Sequence, residues 1–566
     1  MTYCVLDFET KDPNIDTRSW PCGECQVLGT ALISSDGKYR EYCIDTERTK
    51  KIISEYDTIV CHNTQYDCGI LVMLGYDIYK HTLVDTKILA KLYNNLFQST
   101  SLEYLGETLL QERKQTAELE KLAHELKERG LIKFNKTQKP LKILYKNMDI
   151  AQEYGYEIIE KYALMDAEIT EKLYQFFTKN TGGYDVEFYS DLLKCLIKSR
   201  AAGVPISEEN IDKADIHLLN KMNLHKAKAF EIAGKEFNFN ASNDFYQTLL
   251  KVLQHQLPIS DTTGKYTVTK SWMEKHSHPI FAEILDYKRY DKARRDFVLK
   301  LRKYIKDGRI YPSFTPLGAD TGRFTCRNPN CQQIPARDQE TLDLCRGIFI
   351  APEGHDWTSI DYSSQESRLQ VHFAAISNCP GGALLRDEYI KNPELDLHQI
   401  VADMCHITRK EAKTINLGLS YGMGQKKLAA SLEVELNAAI ELKNQYNQYM
   451  PYLTYLMRKI ENTILERGFV YTLGKRKNYI DLNFAYKGLN FLIQGSAADQ
   501  TMKAMVECYR AGIDILFSVH DEINFLTKKG DSATIKRVKE IMENCYKLQV
   551  PVIAEVKTGS SWAECK

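Results

Sequence analysis

RKEAKTINLGLSYG, residues 409–422, carries a distinctive side chain at every fourth position: Arg409, Lys413, Leu417 and Tyr421. On a helix of about 100° per residue, each step of four advances about 40°, so the four share one face about 120° wide. Cations come first on that face and bulkier groups later. This order suits a nucleoside triphosphate, with phosphates on Arg409 and Lys413 and base and sugar beside Leu417 and Tyr421. Gly418 and Gly422 each cost such a helix about 1 kcal/mol relative to alanine, which points to something lying close to the backbone there. Taken alone, the segment reads better as an amphipathic packing helix.

Acidic residues lie on either side of it. Asp361 ends the strand WTSID, and Asp521 and Glu522 follow the apolar strand DILFSVH about 160 residues later. Two carboxylates brought together by a fold can hold two magnesium ions about 3.5–4 Å apart for in-line transfer of a nucleotidyl group. Neighbouring strand residues face opposite sides, so Asp521 and Glu522 serve together only if a turn intervenes; Asp521 is the expected ligand.

A second acidic set opens the chain. Asp7 and Glu9 stand two apart in the strand YCVLDF and its continuation, so both carboxylates point to one face. Asp67 follows the strand TIVCHN, and Tyr162 and Asp166 sit four apart on one helical face. A strand-end DxE by itself is an ordinary polar edge. Four carboxylates from three separated segments, however, can hold two magnesium ions that activate a water and stabilise the leaving oxygen of a phosphodiester. Asp85 could join them, although a capping role suits it better.

The whole chain sets wider bounds. Its 566 residues exceed one ordinary core, and 43% hydrophobic with 27% charged residues is a globular composition. Lysine plus arginine equals aspartate plus glutamate at 75 each, so nucleic-acid binding would have to rest on local basic surfaces. The 15 cysteines are scattered, and the only CxxC, Cys22 and Cys25, has no second pair to complete a zinc site, so reduced thiols are expected. No signal peptide or membrane span is apparent, which leads to the expectation of a cytoplasmic protein. Residues 111–146, rich in lysine and glutamate, read as a solvated helical face, with a surface guiding a single strand as the alternative. Residues 190–300 are mostly helical in pattern, and 396–465 form a second helical block.

DYSSQESR (361–368), RKEAKTINLGLSYG and VHDE (519–522) resemble motifs A, B and C of family A DNA polymerases, in order and at suitable separations. TGRFTCRNPNCQQIP, DLHQIVA, LGKRK and NFLIQGSAAD extend the resemblance from about residue 195 to the end. DFE, HNTQYD and YALMD resemble the three motifs of the DEDDy exonucleases, over about residues 1–185.

These resemblances imply an α/β and α+β multidomain protein: an RNase H-like 3′ to 5′ exonuclease domain over 1–190, then a right-hand polymerase over 191–566. The thumb would occupy about 200–300, the palm about 301–395 and 485–566, and the fingers about 396–484. Asp7, Glu9, Asp67 and Asp166 would be exonuclease metal ligands, with Tyr162 positioning the water. Asp361 and Asp521 would hold the polymerase metals, magnesium with manganese able to substitute. His398, Arg409 and Lys413 would bind triphosphate, and Lys413 would protonate the departing pyrophosphate. Glu366 would gate against a ribose 2′-hydroxyl, packed on Tyr421. Arg323 and Gln494, supported by Asn490, would reach minor-groove acceptors at the primer terminus, which test pair geometry rather than sequence. Lys288 and Lys292 match thumb positions on the duplex backbone.

The implied partners are primer-template DNA, deoxynucleoside triphosphates and a single-stranded 3′ end, handled by a monomer with replisome partners left open; proofreading without a 5′ nuclease fits a phage replicative enzyme. Three positions depart from the pattern: Leu417 for an aromatic residue, Ser364 for glutamine, and Tyr486 for arginine, with Lys487 one residue along. A single-subunit RNA polymerase, a non-catalytic DNA-binding scaffold and a nuclease with a decayed polymerase half are the rival readings. Glu366 speaks against the first and the complete carboxylate sets against the other two.

Overall fold

The computed structural model describes residues 2–12, 25–114, 116–240, 242–254, 256–260, 262–336 and 338–565. Cys22, the first half of the lone CxxC, lies outside the described residues. The chain divides into two compact units. The first gathers Met1–Gly203, Tyr311–Asn328 and Thr358–Lys557; the second gathers Val204–Ile310, Pro329–Trp357 and Thr558–Lys566.

In the first unit, five strands form a mixed sheet in the order β3-β2-β1-β4-β5. They are β1 (Tyr3–Lys11), β2 (Gln26–Ser34), β3 (Arg40–Cys43), β4 (Thr58–Cys61) and β5 (Thr82–Asp85). β1 lies in the middle, antiparallel to β2 and parallel to β4. Its apolar residues Cys4, Val5, Leu6 and Phe8 are buried, as a central strand covered on both faces requires. Asp7 and Glu9 oppose Ala31 and Gly29. A Cβ at Gly29 would meet the Tyr42 ring at 2.3 Å, so this strand needs glycine to let the ring pass. The long helix Met148–Asn180 packs on this sheet and breaks helical geometry once, at Gly155. The lysine- and glutamate-rich stretch contains an amphipathic helix, Ala117–Glu128, which buries Leu119, Leu122, Ala123 and Leu126.

Two short strands, β6 (Val204–Pro205) and β7 (Arg309–Ile310), pair in the second unit. β8 (Ser313–Thr315) and β9 (Thr325–Arg327) form a hairpin in the first. A four-stranded sheet in the order β13-β14-β10-β15 carries the second acidic set. Its strands are β10 (His355–Tyr362), β13 (Ile515–Val519), β14 (Glu522–Lys528) and β15 (Ala554–Gly559). A further ribbon pairs β11 (Phe469–Tyr471) with β12 (Lys477–Tyr479). The helical block expected over 396–465 is present as five helices, from Leu397–Cys405 to Pro451–Arg467.

The second unit is largely helical. Its core packs Phe237, Phe239, Phe245, Phe281 and Ile284, and helices Glu208–Ala233 and Pro279–Lys292 lie against each other. The mixed α/β multidomain architecture read from the sequence is what the chain adopts. Among the described residues, no helix is long and apolar enough to cross a membrane.

Candidate active sites

The first acidic set converges on β1. Asp67 sits in the first turn of helix Thr64–Met73, reached from β4 through Asn63, whose φ of 81° turns the chain sharply. Its Oδ1 accepts the backbone N–H of Phe8 at 3.1 Å, which fixes it between Asp7 and Glu9. Tyr162 and Asp166 face the same place from the long helix, and both are buried. The carboxyls of Glu9, Asp67 and Asp166 are raised by burial, and that of Asp7 to about 7, with neighbouring carboxylates adding to the rise in each case. Asp85 does not join them. It caps helix Thr86–Tyr93 through the N–H of Lys87 and accepts the N–H groups of Asn63 and Thr64 at 3.0 Å each.

Lys114 is the residue that sequence reasoning missed here. Its ammonium binds Asp166 Oδ2, lies 3.2 Å from the Tyr162 hydroxyl and sits over the Tyr162 ring. It belongs to a stretch that looked like a solvated face, and no local spacing marks it. The Lys114 ammonium thus faces a group of carboxyls whose ionisation burial opposes, and Asp166 Oδ1 is buried with no hydrogen-bond partner. Hard oxygen donors in this state suit magnesium or manganese. Among the described residues, no three such side chains are already closed around one point.

The second set forms where β10 meets the β13–β14 hairpin. The backbone N–H of Tyr362 donates to the Asp521 carbonyl at 3.2 Å, so Asp361 and Asp521 lie at adjacent strand ends. A turn does separate Asp521 from β13: His520 has φ 58°, and Asp521 stands between the strands. Glu522 begins β14, is buried and receives Asn524 Nδ2 at 2.8 Å. Burial raises the Asp521 carboxyl above the usual range.

Glu366, in the first turn of helix Gln365–Ile376, is bound to the Arg323 guanidinium. Its carboxyl is raised by burial, which Arg323 partly offsets. Ser364 precedes that helix with φ 53°.

Helix Arg409–Ser420 begins with a capping box, Thr408 with Glu411. It buries Ala412, Ile415 and Leu419 and leaves Arg409 and Lys413 exposed and Leu417 half-buried, which is the division expected from the sequence. Tyr421 is the C-cap rather than a helical residue, and its hydroxyl is buried without a partner. The glycines find their explanation within the chain. A Cβ on Gly418 would meet the Met423 side chain at 2.6 Å, and Gly422, at φ 76°, lies under the Tyr486 ring. Arg409 pairs with Asp396 at 2.6 Å. His398 is buried, holds Asn416 at 2.7 Å through Nδ1, and has its pKa lowered chiefly by burial.

Asn490 and Gln494 lie one turn apart on helix Gly488–Arg510, both half-buried, and Asn490 Oδ1 has no partner. In the second unit, Lys288 and Lys292 line a groove of about 1110 Å³ with Gln332 and Gln333. The Lys288 ammonium rests over the Phe245 ring at 5.0 Å.

The sequence profile of DNA polymerase family A matches residues 208–564. The chain belongs to DNA polymerase family A. The DNA-directed DNA polymerase of Pseudomonas phage M6 is 32% identical over 448 residues, covering 67% of this chain and 66% of that protein. DNA polymerase DpoZ of Vibrio phage phiVC8 is 26% identical, covering 96% of this chain and 93% of that one. DNA polymerase I of Treponema pallidum is 26% identical over 90% of this chain and 51% of its own length. This chain thus spans about half to two thirds of the first relatives it matches. The POL domain of Pol1 from M. smegmatis, solved with DNA primer-template and dNTP, aligns with a TM-score of 0.78 at 21% identity. That alignment covers 100% of this chain and 96% of the other, and shows the shared fold. The family match takes in every residue of the second acidic set and the 409–420 helix; the first acidic set lies outside it.

Proposed function

We propose that this family A protein extends a DNA primer on a template from deoxynucleoside triphosphates and removes misincorporated nucleotides through a separate 3′ to 5′ exonuclease site. The observation that carries the reading is the Tyr362–Asp521 backbone bond, which brings Asp361 and Asp521 together although they are far apart in sequence. Arg409 and Lys413 bind the triphosphate on the exposed face of their helix, His398 supports them, and Lys413 delivers a proton to departing pyrophosphate. Leu417 and Tyr421 meet the sugar and base, and Glu366 takes the space a 2′-hydroxyl would need. Arg323 and Gln494 test the primer-terminal pair, with Asn490 supporting them, while Lys288 and Lys292 hold the duplex backbone. Two magnesium ions at each carboxylate set, when bound, supply Lewis acidity to the reacting phosphate oxygens.

In the exonuclease site, Asp7, Glu9, Asp67 and Asp166 hold the metals and Tyr162 orients the water. The single-stranded 3′ end is the substrate there. The architecture suits a monomeric phage replicative polymerase working in the host cytoplasm. Asp361→Ala or Asp521→Ala is expected to abolish primer extension and leave single-strand degradation intact, whereas Asp7→Ala with Glu9→Ala does the reverse and raises the error rate. Both reactions are followed on labelled DNA; loss of both from one substitution in folded protein would refute the two-site reading.

A further inference from the structure

Arg323 is carried by a turn that closes with the Ala319 N–H on the Arg323 carbonyl at 3.1 Å and the Gly322 N–H on the Ala319 carbonyl at 2.8 Å. This turn is held from two sides. On one side lies the β11–β12 ribbon and its neighbour helix: Asn478 Nδ2 donates to the Thr321 carbonyl at 3.3 Å and to the Phe491 carbonyl at 3.0 Å. Arg476, buried and paired with Asp499 at 3.1 Å, also reaches the Thr321 carbonyl. Gly322, at φ 93°, lies against the Arg476 guanidinium, where an added Cβ would stand 2.3 Å from nitrogen.

The other side is Asn95, from the segment that follows helix Thr86–Tyr93 of the first acidic set's fold. Only 3% of Asn95 is exposed. Its Nδ2 donates to the Asp320 carbonyl and to the Tyr479 carbonyl, each at 3.0 Å, and its Oδ1 accepts the Tyr479 N–H at 2.7 Å. One side-chain amide therefore pairs with β12 as a strand would and spends its remaining N–H on the turn three residues before Arg323. Lys91 Nζ binds the Asn95 carbonyl at 2.9 Å and fixes the segment from behind.

We propose that Asn95 is a positioning residue for the contact between Arg323 and the primer terminus, so that the amino-terminal fold is a working part of the polymerase site. The proposal rests on the reading of Arg323 as a minor-groove contact. A long side chain finds a fixed acceptor only if its backbone is fixed, and a misplacement of about 1 Å can cost about a hundredfold in rate. Asn95 touches neither DNA nor nucleotide in this scheme; it acts through the turn.

The test is single-turnover addition of the next correct nucleotide by the full chain carrying Asp7→Ala and Glu9→Ala, so that excision does not intervene. Two primers are used, one ending in deoxyguanosine and one in 3-deazadeoxyguanosine, which lacks the minor-groove N3 acceptor. The protein with Asn95 and Arg323 intact is expected to lose about tenfold or more on the deaza primer. Arg323→Ala is expected to be slow on both and indifferent to the change. Asn95→Ala is expected to slow extension of the natural primer several-fold and the deaza primer hardly at all. Asn95→Asp, which keeps the acceptor but loses both N–H donors, should match it. An equal loss on both primers, or no loss on either, would overturn the proposal. If Arg323→Ala instead remained fully sensitive to the deaza base, the reading of Arg323 itself would fail and take the proposal with it, a result distinct from failure of Asn95 alone. Should Asn95→Ala not fold, Gly322→Ala disturbs the same turn from the Arg476 side and must show the same primer-specific loss; a uniform loss would again overturn the proposal.

Discussion

At Leu417, half-buried on the face of helix Arg409–Ser420 that presents Arg409 and Lys413, the side chain offers neither a hydroxyl nor a ring to an incoming sugar. The protein is therefore expected to discriminate strongly against dideoxynucleotides. Tyrosine can place a hydroxyl where the missing 3′-hydroxyl would be, and a hydrogen bond to a charged partner is worth about 1.5–3 kcal/mol, or about ten- to a hundredfold. Leu417→Tyr should reduce the deoxy-to-dideoxy ratio of kcat/KM accordingly in an exonuclease-deficient background; an unchanged ratio with extension intact would remove Leu417 from the sugar. A second residue-scale expectation concerns Asp7, whose carboxyl burial and the Asp166 charge push up from 3.8 to about 7. A folded-state pKa above the unfolded one means the native state holds more protons between those values, so stability is lost as pH rises through that window. In chelator, Asp7→Asn should match the parent protein's Tm near pH 4 and exceed it above pH 7, and added magnesium should narrow the gap at the higher pH. Equal melting temperatures across the range would show that Asp7 is not strained by its neighbours.

At the scale of elements, helix Arg409–Ser420 starts with the Thr408–Glu411 capping box, in which Thr408 accepts the Glu411 N–H and Glu411 accepts the Thr408 N–H at 2.8 Å. Thr408→Ala should cost about 1 kcal/mol of stability. Because Arg409 is the first residue after the cap, it should also raise KM for nucleotide more than it lowers kcat; a change in Tm with unchanged KM would confine the cap to folding. This helix also shows what could be read in advance. Its exposed face was legible because the period of four is local, and so was the pairing of Asp7 with Glu9 on one strand and of Tyr162 with Asp166 on one helix. Lys114 was not, since a lysine among lysines and glutamates has no period of its own and its partner lies 52 residues away. Gly418 and Gly422 were legible as sites of close approach, yet the neighbours that require them, Met423 and Tyr486, could only be found in three dimensions. The hydrogen bonds of Asn95 to Asp320 and Tyr479 bridge hundreds of residues and leave no trace in spacing.

At the scale of the whole molecule, the chain enters the first unit, leaves it for the second after Gly203, and returns twice. Each unit has its own core, so each can in principle lose its structure at its own point on a denaturation curve. The second unit contains a compact aromatic group: Trp357 stacks on Trp562 at 6.3 Å, Phe349 meets the edge of Trp562 at 5.2 Å, and the Arg346 guanidinium lies 4.0 Å above the Trp562 ring. Trp272 belongs to the same unit, so the described tryptophans all report on it. With Trp20, outside the described residues, replaced by phenylalanine and tryptophan excited selectively over tyrosine, the tryptophan emission becomes a private optical signal of one unit, while the far-ultraviolet dichroism sums over both. In a urea titration the two signals should part, with the fluorescence midpoint marking the second unit alone; coincident midpoints would mean that both units melt as one. The same signal could then register whether binding of a duplex stiffens that unit, with no dye attached to the protein.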